Sequence, residues 1–213
     1  MHVLQCKRLG HQDVRILHGI IDGEDIYAVS DTDTEETRSL YNIAENEVLI
    51  TFVGRLVPIK RPGAAVEVAR SLPTNYQLLM IGDGPERERL QQQVNAIESA
   101  SSPTLLGQLS HQETLELIRA SDILLLTSKA EACPTVVFEA LSLGTQVVAP
   151  PVGVLLSITH PDLHIVPVEE QAVTLQSLGR GAYTVREEVM SDYLMERFTD
   201  EILTRSRELS VES

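Results

Sequence analysis

Lysine is scarce in this chain of 213 residues, and basic residues are few altogether. Three of the 17 basic residues are lysines (Lys7, Lys60 and Lys129), against 31 acidic residues and a formal net charge of −14. No basic stripe appears, which argues against nucleic-acid binding. A surface that is this acidic and this poor in lysine favours adaptation to high salt, because salt screens the repulsion between like charges. An ordinary acidic cytosolic protein is the less favoured alternative. A phosphate ligand would have to find its cations locally.

Cysteines and long apolar runs are also lacking. Cys6 and Cys133 lie far apart outside any motif, so neither a disulfide framework nor a zinc site is expected. Cys133 is expected to fill a loop and not to act as a nucleophile. No apolar run approaches the roughly 20 residues of a membrane span, and the N-terminal apolar stretch is too short for a signal peptide. We therefore expect a cytoplasmic protein without a transmembrane segment, with peripheral membrane contact left open.

Short apolar segments alternate with helical segments along most of the chain. Strands are predicted near 48–54, 76–82, 103–106, 123–127, 146–149 and 164–167 from their short, apolar character. Helices are predicted near 61–72, 85–98, 111–120, 134–143 and 168–178, and a shorter helix begins within 30–38 behind capping residues. This alternation predicts an α/β fold, a doubly wound and mainly parallel Rossmann-like sheet with helices on both faces.

The chain divides into three parts around that sheet. Residues 31–180 are predicted to form one Rossmann-like domain, since 213 residues suit one α/β domain and not two. Residues 1–30 are interpreted as a stray strand or a linker. Residues 181–213 are predicted to hold a charged amphipathic helical tail whose apolar face needs a partner or folds back. That face consists of Tyr193, Leu194, Phe198, Ile202 and Leu203.

Two carboxylates with seven residues between them, Glu131 and Glu139, flank a predicted helix start. Pro134 suits the first helical turn and Gly144 suits the helix end. At about 1.5 Å per residue, Glu139 lies roughly 8 Å along the helix from Pro134. The free backbone N–H groups at the helix start form an anion site. One carboxylate on each side of this anion site could accept hydrogen bonds from hydroxyls on either side of a bound diphosphate. A nucleotide-sugar has that arrangement, with ribose, diphosphate and hexose in order.

A pair of basic residues follows the first buried strand. Arg55 and Lys60 lie five positions apart in the loop between the strand near 48–54 and the helix that starts near Pro62. Ligands bind at the carboxyl edge of open parallel sheets, where this loop is expected to lie. The Arg guanidinium can donate two parallel hydrogen bonds to a phosphate, and the Lys ammonium supplies a compact positive charge. The pair therefore predicts a phosphate-binding site. Ordinary surface charges are the alternative.

Five motifs occur together in an order and at a spacing similar to those of a known family. They are Gly54-Arg55-Leu56 with Lys60, Ile81-Gly82-Asp83-Gly84-Pro85, Leu106-Gly107, the Glu131–Glu139 pair, and Gly144-Thr145-Gln146-Val147-Val148-Ala149. From Ile16 to Val166 the chain resembles the C-terminal, donor-binding domain of the retaining group 1 glycosyltransferases, whose GT-B fold has two Rossmann-like domains. Singly the motifs are weak, because Gly82 and Gly84 also suit a simple turn and Asp83 could cap the next helix.

The resemblance implies a role for each matching residue. Arg55 and Lys60 would hold the donor diphosphate, Glu131 would lie near the transferred sugar, and Glu139 would hold ribose hydroxyls. Backbone near Leu106-Gly107 would hold the base. The implied catalytic residues are Arg55, Lys60 and Glu131, and the implied substrate-binding residues are Arg55, Lys60, Leu106, Gly107, Glu131, Pro134, Thr135, Val136 and Glu139.

Two stretches depart from the family pattern. Ala132-Cys133-Pro134 follows the first Glu where many members have Gly-Phe-Gly or Gly-Phe-Pro, so the aromatic position is reduced. The stretch Val152-Gly153-Val154-Leu155-Leu156 has one glycine and no glutamate where the family often has Gly-Gly followed by Glu. That loop is the least family-like part of the predicted site.

The family also has an acceptor-binding N-terminal domain. Only about fifteen residues precede the segment Ile16–Asp22, which resembles the interdomain linker. The resemblance therefore implies a donor domain that uses a nucleoside-diphosphate sugar for retaining transfer of a hexose to a hydroxyl. A separate acceptor-domain chain or a homo-oligomer would complete it. The alternatives are a non-catalytic nucleotide-sugar-binding fragment or split-enzyme subunit, and a relative of the sugar-nucleotide epimerases.

Neither a metal nor a cofactor is predicted, since the nucleotide-sugar is a substrate and the family mechanism needs no metal. Positive charge from Arg55, Lys60 and the helix start near Pro134 would stabilise the departing diphosphate. The histidines that lack metal-ligand spacing are His18, His111, His160 and His164. They are expected to be structural or surface residues, with His111 opening a helix.

Overall fold

Helices and strands alternate strictly along the sheet-forming part of the chain. The computed structural model describes residues 23–30, 34–97 and 102–180. In chain order the elements are α1 (Gly23–Ser30), α2 (Thr34–Leu40), β1 (Val48–Val53), α3 (Pro62–Arg70), β2 (Tyr76–Ile81), α4 (Arg87–Asn95), β3 (Thr104–Gly107), α5 (His111–Ala120), β4 (Ile123–Leu125), α6 (Thr135–Ser142), β5 (Gln146–Ala149), a 3-10 helix (Gly153–Ser157), β6 (Leu163–Ile165) and α7 (Val168–Leu178).

The six strands pair in parallel in the order β3-β2-β1-β4-β5-β6. Strand β1 lies against β2 along its whole length and against β4 at Ile50 and Thr51. The strand order therefore reverses between β1 and β4, and the loops that leave these two strands diverge. Open α/β sheets bind ligands in the crevice at such a reversal.

Apolar side chains alternate across the sheet because successive residues of a strand point to opposite faces. Val48, Ile50 and Phe52 of β1 belong to a buried cluster with α3, α4 and α7 on one face. Leu49, between them, packs with Leu117 of α5 on the other face. Helices α1, α5 and α6 also cover this second face. The sheet is thus doubly wound, which confirms the predicted fold class.

The predicted elements agree closely with those of the structure. Each of the six predicted strands is present, and the five longer helices occur with ends that differ by up to three residues. Strand β4 ends at Leu125 and not at Thr127, and β6 ends at Ile165 and not at 167. The short helix predicted within 30–38 is α2, which begins at Thr34.

The interpretation of residues 1–30 as a strand or linker is wrong where it can be checked. Gly23–Ser30 form helix α1, and its residues Ile26 and Val29 are buried in the core against α5. Their spacing of three is helical, and Glu24 and Asp25 in the first turn favour a helix start through the helix dipole. Residues 1–22 and the predicted tail at 181–213, with its apolar face, lie outside the described residues.

A buried ion pair closes the amino edge of the sheet, opposite the crevice. Arg38 of α2 and Asp122, just before β4, are both fully buried, and the Nη1 to Oδ2 distance is 3.1 Å. Arg38 also donates to the carbonyls of Ala120 (3.1 Å) and Glu47 (2.6 Å). Asp122 Oδ2 accepts the Leu49 N–H at 2.7 Å. The pair thereby joins α2, the end of α5, and the starts of β1 and β4.

Replacing Arg38 with Met should lower the free energy of unfolding by about 3–5 kcal/mol. The Asp122 carboxylate would remain buried without its nearest cation, and the carbonyls that Arg38 serves would lose a donor. Urea unfolding followed by circular dichroism measures this loss.

The matched control is Arg70→Met, which removes an ion pair with Glu67 whose side chains are 55% and 56% exposed. That change should alter stability by less than about 1 kcal/mol, because exposed pairs are screened by water and salt. Equal losses in the two variants would show that the buried pair is not what holds this edge.

Candidate functional site

The two loops that diverge at the strand reversal are joined by an ion pair. Lys60, between β1 and α3, donates from Nζ to both carboxylate oxygens of Glu131, between β4 and α6, at 2.7 and 2.8 Å. Ser128 Oγ donates to Glu131 Oε1 at 2.5 Å. The Lys60 side chain is 26% exposed and that of Glu131 only 6%. Two predicted site residues, 71 positions apart in sequence, are therefore in direct contact.

Backbone contacts fix the loop that carries Lys60. Thr127 Oγ1 lies 3.0 Å from the Lys60 carbonyl oxygen and 2.9 Å from that of Arg61. The Lys129 N–H donates to the Ile59 carbonyl at 2.8 Å. Arg61 adopts a left-handed conformation (φ 50°, ψ 49°), which is unfavourable for a side chain with a Cβ. The bonds from Thr127 help to hold the chain in this turn, immediately after Lys60.

The loops after β1 and β2 lie back to back, with glycine at the points of closest approach. A Cβ on Gly82 would lie 2.0 Å from the Gly54 carbonyl oxygen, and one on Gly84 would lie 2.5 Å from that of Leu56. The Leu56 N–H donates to the Asp83 carbonyl at 2.8 Å. The Asp83 carboxylate accepts the N–H of Gly84 at 2.6 Å, so the alternative in which it caps α4 is wrong. These glycines allow the backbone approach that braces the loop of Arg55 and Lys60.

The start of α6 presents backbone donors beside the ion pair. Pro134 is the N-cap residue, one position earlier than the predicted first turn, and Val137 N–H donates to its carbonyl at 3.0 Å. Thr135 and Val136 precede this first intrahelical bond, so their N–H groups point out of the helix end. The α6 start carries no side-chain cap and no acidic residue in its first turn. It is therefore suited to an anion.

Glu139 lies on α6 with only 14% of its side chain exposed. Burial raises the pKa of its carboxyl above the ordinary value; His111 opposes the rise and Asp25 adds to it. His111 Nε2 lies 4.0 Å from Glu139 Oε1 and 3.4 Å from Asp25 Oδ2. A carboxyl group whose pKa is raised by burial is found often at functional sites.

The loop after β5 packs directly on the backbone of Glu131. Gly153 has φ +57°, and a Cβ there would lie 1.8 Å from the Glu131 carbonyl oxygen. It begins a 3-10 helix over Gly153–Ser157 in which Leu155 is buried. The stretch that departs most from the family pattern thus supports the position of Glu131, and its single glycine is required by the contact.

The remaining predicted residues lie around this centre. Arg55 is exposed, two residues beyond the end of β1. Leu106 and Gly107 end β3, and the Gly107 carbonyl is occupied by the N–H of Gly82 at 2.7 Å. Cys133 is a free, exposed thiol whose pKa is raised by partial burial, which does not favour a thiolate nucleophile.

The histidines are not gathered together. His111 begins α5, as predicted. His160 accepts the Asp162 N–H at 3.1 Å, and burial lowers the pKa of His164. Among the described residues, no group of three or more His, Cys, Asp or Glu side chains could hold a metal ion. His18 lies outside them.

Several residues of the site escaped sequence reasoning. Ser128 orients Glu131, Thr127 holds the Lys60 turn, and Gly153 supports the Glu131 backbone. The hydroxyl pair Thr127-Ser128 at the carboxyl end of a buried strand was a readable signal. The approach of His111 and Asp25 to Glu139 depends on helix packing and had no signal in the spacing of motifs.

The fold and the crevice define a Rossmann-like α/β domain with its charged site at the strand reversal. The family model for group 1 glycosyl transferases matches residues 33–172. The chain therefore belongs to the group 1 glycosyltransferase family. A D-inositol 3-phosphate glycosyltransferase of Rhodococcus opacus (strain B4) is 31% identical over 145 residues, covering 63% of this chain and 32% of that protein. The match thus spans about a third of the relative.

Solved structures share the fold. Sucrose-phosphate synthase from Thermosynechococcus elongatus superposes with a TM-score of 0.77 and 22% identity, over 99% of this chain and 56% of that one. Anabaena HepE, solved in complex with UDP and glucose, superposes with a TM-score of 0.74 and 19% identity, over 91% of this chain and 57% of that one. Both are GT-B proteins, and this chain corresponds to just over half of each.

Within the described ranges, none of the helices has both the length and the apolar character that crossing a bilayer requires.

The buried Glu139 generates a prediction about stability and pH. Its raised pKa means that the folded protein binds this proton more tightly than the unfolded chain, so ionisation at neutral pH reduces stability. That loss disappears as the pH falls below the ordinary pKa of 4.5. Glu139→Gln, which is neutral and of similar shape, should therefore melt at a higher temperature than the wild type at neutral pH and at a similar temperature below pH 4.5.

Thermal unfolding followed by circular dichroism across this pH range measures the difference. Glu67→Gln, at an exposed helical carboxylate, is the control and should not raise the melting temperature at neutral pH. A Glu139→Gln protein that melts below the wild type at neutral pH would contradict the argument.

Proposed function

We propose that this chain is the donor-binding domain of a glycosyltransferase that takes a hexose from a nucleoside-diphosphate sugar and transfers it, with retention, to an acceptor hydroxyl. The observation that carries the proposal is the contact between Lys60 and Glu131 across the strand reversal, beside the uncapped start of α6. Cations, free N–H groups and buried carboxylates meet there. A diphosphate with a sugar at each end needs this combination.

The phosphates would lie between the Lys60 loop and the α6 start. Arg55 and Lys60 supply positive charge, and the N–H groups of Thr135 and Val136 supply backbone donors. Without ligand, the Lys60 ammonium donates hydrogen bonds to both carboxylate oxygens of Glu131. Diphosphate binding would transfer Lys60 from the carboxylate to phosphate oxygens. The freed Glu131, still held by Ser128, could then accept a hydroxyl of the donor sugar.

The nucleoside would lie toward Glu139. This carboxylate is five residues into α6 and largely removed from solvent, so a hydrogen bond that it accepts from a ribose hydroxyl meets little competition from water. The base would extend toward backbone near Leu106 and Gly107. Since the Gly107 carbonyl is already bonded to Gly82, other backbone groups of that segment would contact the base.

Catalysis would consist of stabilising the departing diphosphate. The bond from the sugar anomeric carbon to the phosphate oxygen breaks, and its electron pair stays with the diphosphate. The acceptor oxygen bonds to the carbon, and its proton passes to the departing diphosphate. Arg55, Lys60 and the α6 N–H groups offset the developing charge. The acceptor would be positioned by a second domain, from this polypeptide or a separate chain, as the GT-B neighbours suggest.

Nucleotide titrations test the proposal. Calorimetry with UDP, GDP and ADP in about 1 M KCl, where repulsion by the acidic surface is screened, should show binding of one nucleotide. Lys60→Ala should weaken it about tenfold to a hundredfold, the range of a lost charge-assisted hydrogen bond of ~1.5–3 kcal/mol. Glu139→Ala should weaken it in the same direction.

Lys129→Ala is the matched control, since Lys129 is exposed on the same rim and its backbone N–H, not its ammonium, makes the contact with Ile59. The affinity of the Lys129→Ala variant for the nucleotide should stay close to that of the wild type. Absence of nucleotide binding by the folded wild type, or equal losses in the Lys60 and Lys129 variants, would remove the support for a donor site in this chain.

The Gly153 contact generates a second test. Gly153→Ala should weaken nucleotide binding about tenfold or more, because the added Cβ overlaps the Glu131 carbonyl and displaces the site loop. Gly179→Ala is the control: Gly179 has a similar φ of +62° but open space around its Cβ position. Both variants should lose stability to the strained backbone. Comparable loss of affinity in both would show that the Gly153 contact does not support the site.

A further inference from the structure

The contact between Lys60 and Glu131 engages groups that a ligand would need on both sides. The Lys60 ammonium donates to both oxygens of the carboxylate, at 2.7 and 2.8 Å. Two of the three N–H groups of the ammonium are thereby engaged. Among the residues that the structure describes, Lys60 and Ser128 are the two side chains that donate to the Glu131 carboxylate. A bound diphosphate and Glu131 therefore compete for one ammonium.

The two partners of this ion pair differ in their access to water. The Lys60 side chain is 26% exposed and the Glu131 side chain 6%. Water or a phosphate can reach the ammonium, whereas a carboxylate removed from water depends on donors that the protein or a ligand supplies. When Lys60 turns to a phosphate, Ser128 still donates to Glu131 Oε1, at 2.5 Å, but Oε2 loses its donor.

An intact nucleotide-sugar and a free nucleoside diphosphate differ in what they return to Glu131. Both offer phosphate oxygens to Lys60. The nucleotide-sugar also has sugar hydroxyls beyond the diphosphate, and a hydroxyl can donate to the released carboxylate. The free nucleotide has no such group, so it leaves a largely buried carboxylate short of a donor. The cost of breaking the ion pair is offset in the first complex and not in the second.

We propose that Lys60 and Glu131 together determine the selectivity of the site, because their ion pair lowers the affinity for the free nucleoside diphosphate relative to the nucleotide-sugar. After transfer of the hexose, Lys60 returns to Glu131 and the spent nucleotide is released. Thr127 holds the Lys60 backbone and Gly153 lies against that of Glu131, so the two side chains remain within reach of each other. This inference rests on the proposed function.

Glu131→Gln is the first test, since it removes the charge and keeps the shape of the side chain. Calorimetry in about 1 M KCl compares two ligands with the same base: the best-binding nucleotide among UDP, GDP and ADP, and its hexose form (UDP-glucose, GDP-mannose or ADP-glucose). The variant should bind the free nucleotide about three to ten times more tightly than the wild type, because Lys60 no longer has a competing partner. It should bind the hexose form no more tightly than the wild type.

Two controls separate this competition from simple repulsion between carboxylate and phosphate. Glu139→Gln neutralises another largely buried carboxylate of the site, with 14% of its side chain exposed, and should not tighten nucleotide binding. Glu131→Gln is also measured in a Lys60→Ala background. There the tightening should shrink to about twofold or less, because the ion pair is already absent.

Ser128→Ala should act in the opposite direction. It removes the hydrogen bond that remains to Glu131 when Lys60 contacts a phosphate. The free nucleotide should then bind about two to five times more weakly than to the wild type, and the hexose form should lose less affinity. A site that is merely damaged would bind the free nucleotide more weakly in both the Glu131→Gln and the Ser128→Ala variants.

The role of the ion pair would be overturned, with the donor site left standing, by any of four results. These are unchanged or weaker binding of the free nucleotide by Glu131→Gln, equal tightening of both ligands, equal tightening in the Lys60→Ala background, and no loss in Ser128→Ala. Absence of nucleotide binding by the folded wild type would overturn the proposed function, and this inference with it.

Discussion

The parallel pairing of β1 with β4 is the constraint on which the rest of the molecule depends. It reverses the strand order in the middle of the sheet, so the loop after β1 and the loop after β4 leave in different directions. The four charged residues of the candidate site, Arg55, Lys60, Glu131 and Glu139, belong to these two loops or to the helix that follows one of them. The contact of Lys60 with Glu131 bridges the gap that the pairing creates.

Two ion pairs lie at opposite edges of the sheet, and their environments differ. Arg38 and Asp122 are fully buried, and both are also bonded to backbone groups at the sheet edge. Lys60 is a quarter exposed, and its partner Glu131 is also bonded to Ser128. The pair of Arg38 and Asp122 is suited to a permanent contact. The pair of Lys60 and Glu131 is suited to an exchange in which a ligand replaces one partner. Burial of the cation decides which behaviour each pair has.

The strands and helices of this fold were readable from sequence because apolar periodicity and β-branched runs report burial directly. Motif order was sufficient to suggest the family and to choose Lys60 and Glu131, which the structure brings together. Contacts between distant segments were not readable. The burial of α1 through Ile26 and Val29, the hydrogen bond from Ser128 and the approach of His111 to Glu139 each depend on how packed elements meet. Local pattern can indicate a helix at α1 or hydroxyls after β4, but it does not report which distant segment each of them contacts.

The glycine contacts behind the loop of Arg55 and Lys60 have an evolutionary consequence. Because Gly82 and Gly84 touch the carbonyls of Gly54 and Leu56, the turns after β1 and β2 form one interlocked unit. An insertion in either turn would break the pairing with the other, so their lengths must be inherited together. Diversification of the exposed edge is then restricted to side chains such as Arg55 and Ile59, while the backbone path beneath them stays constant.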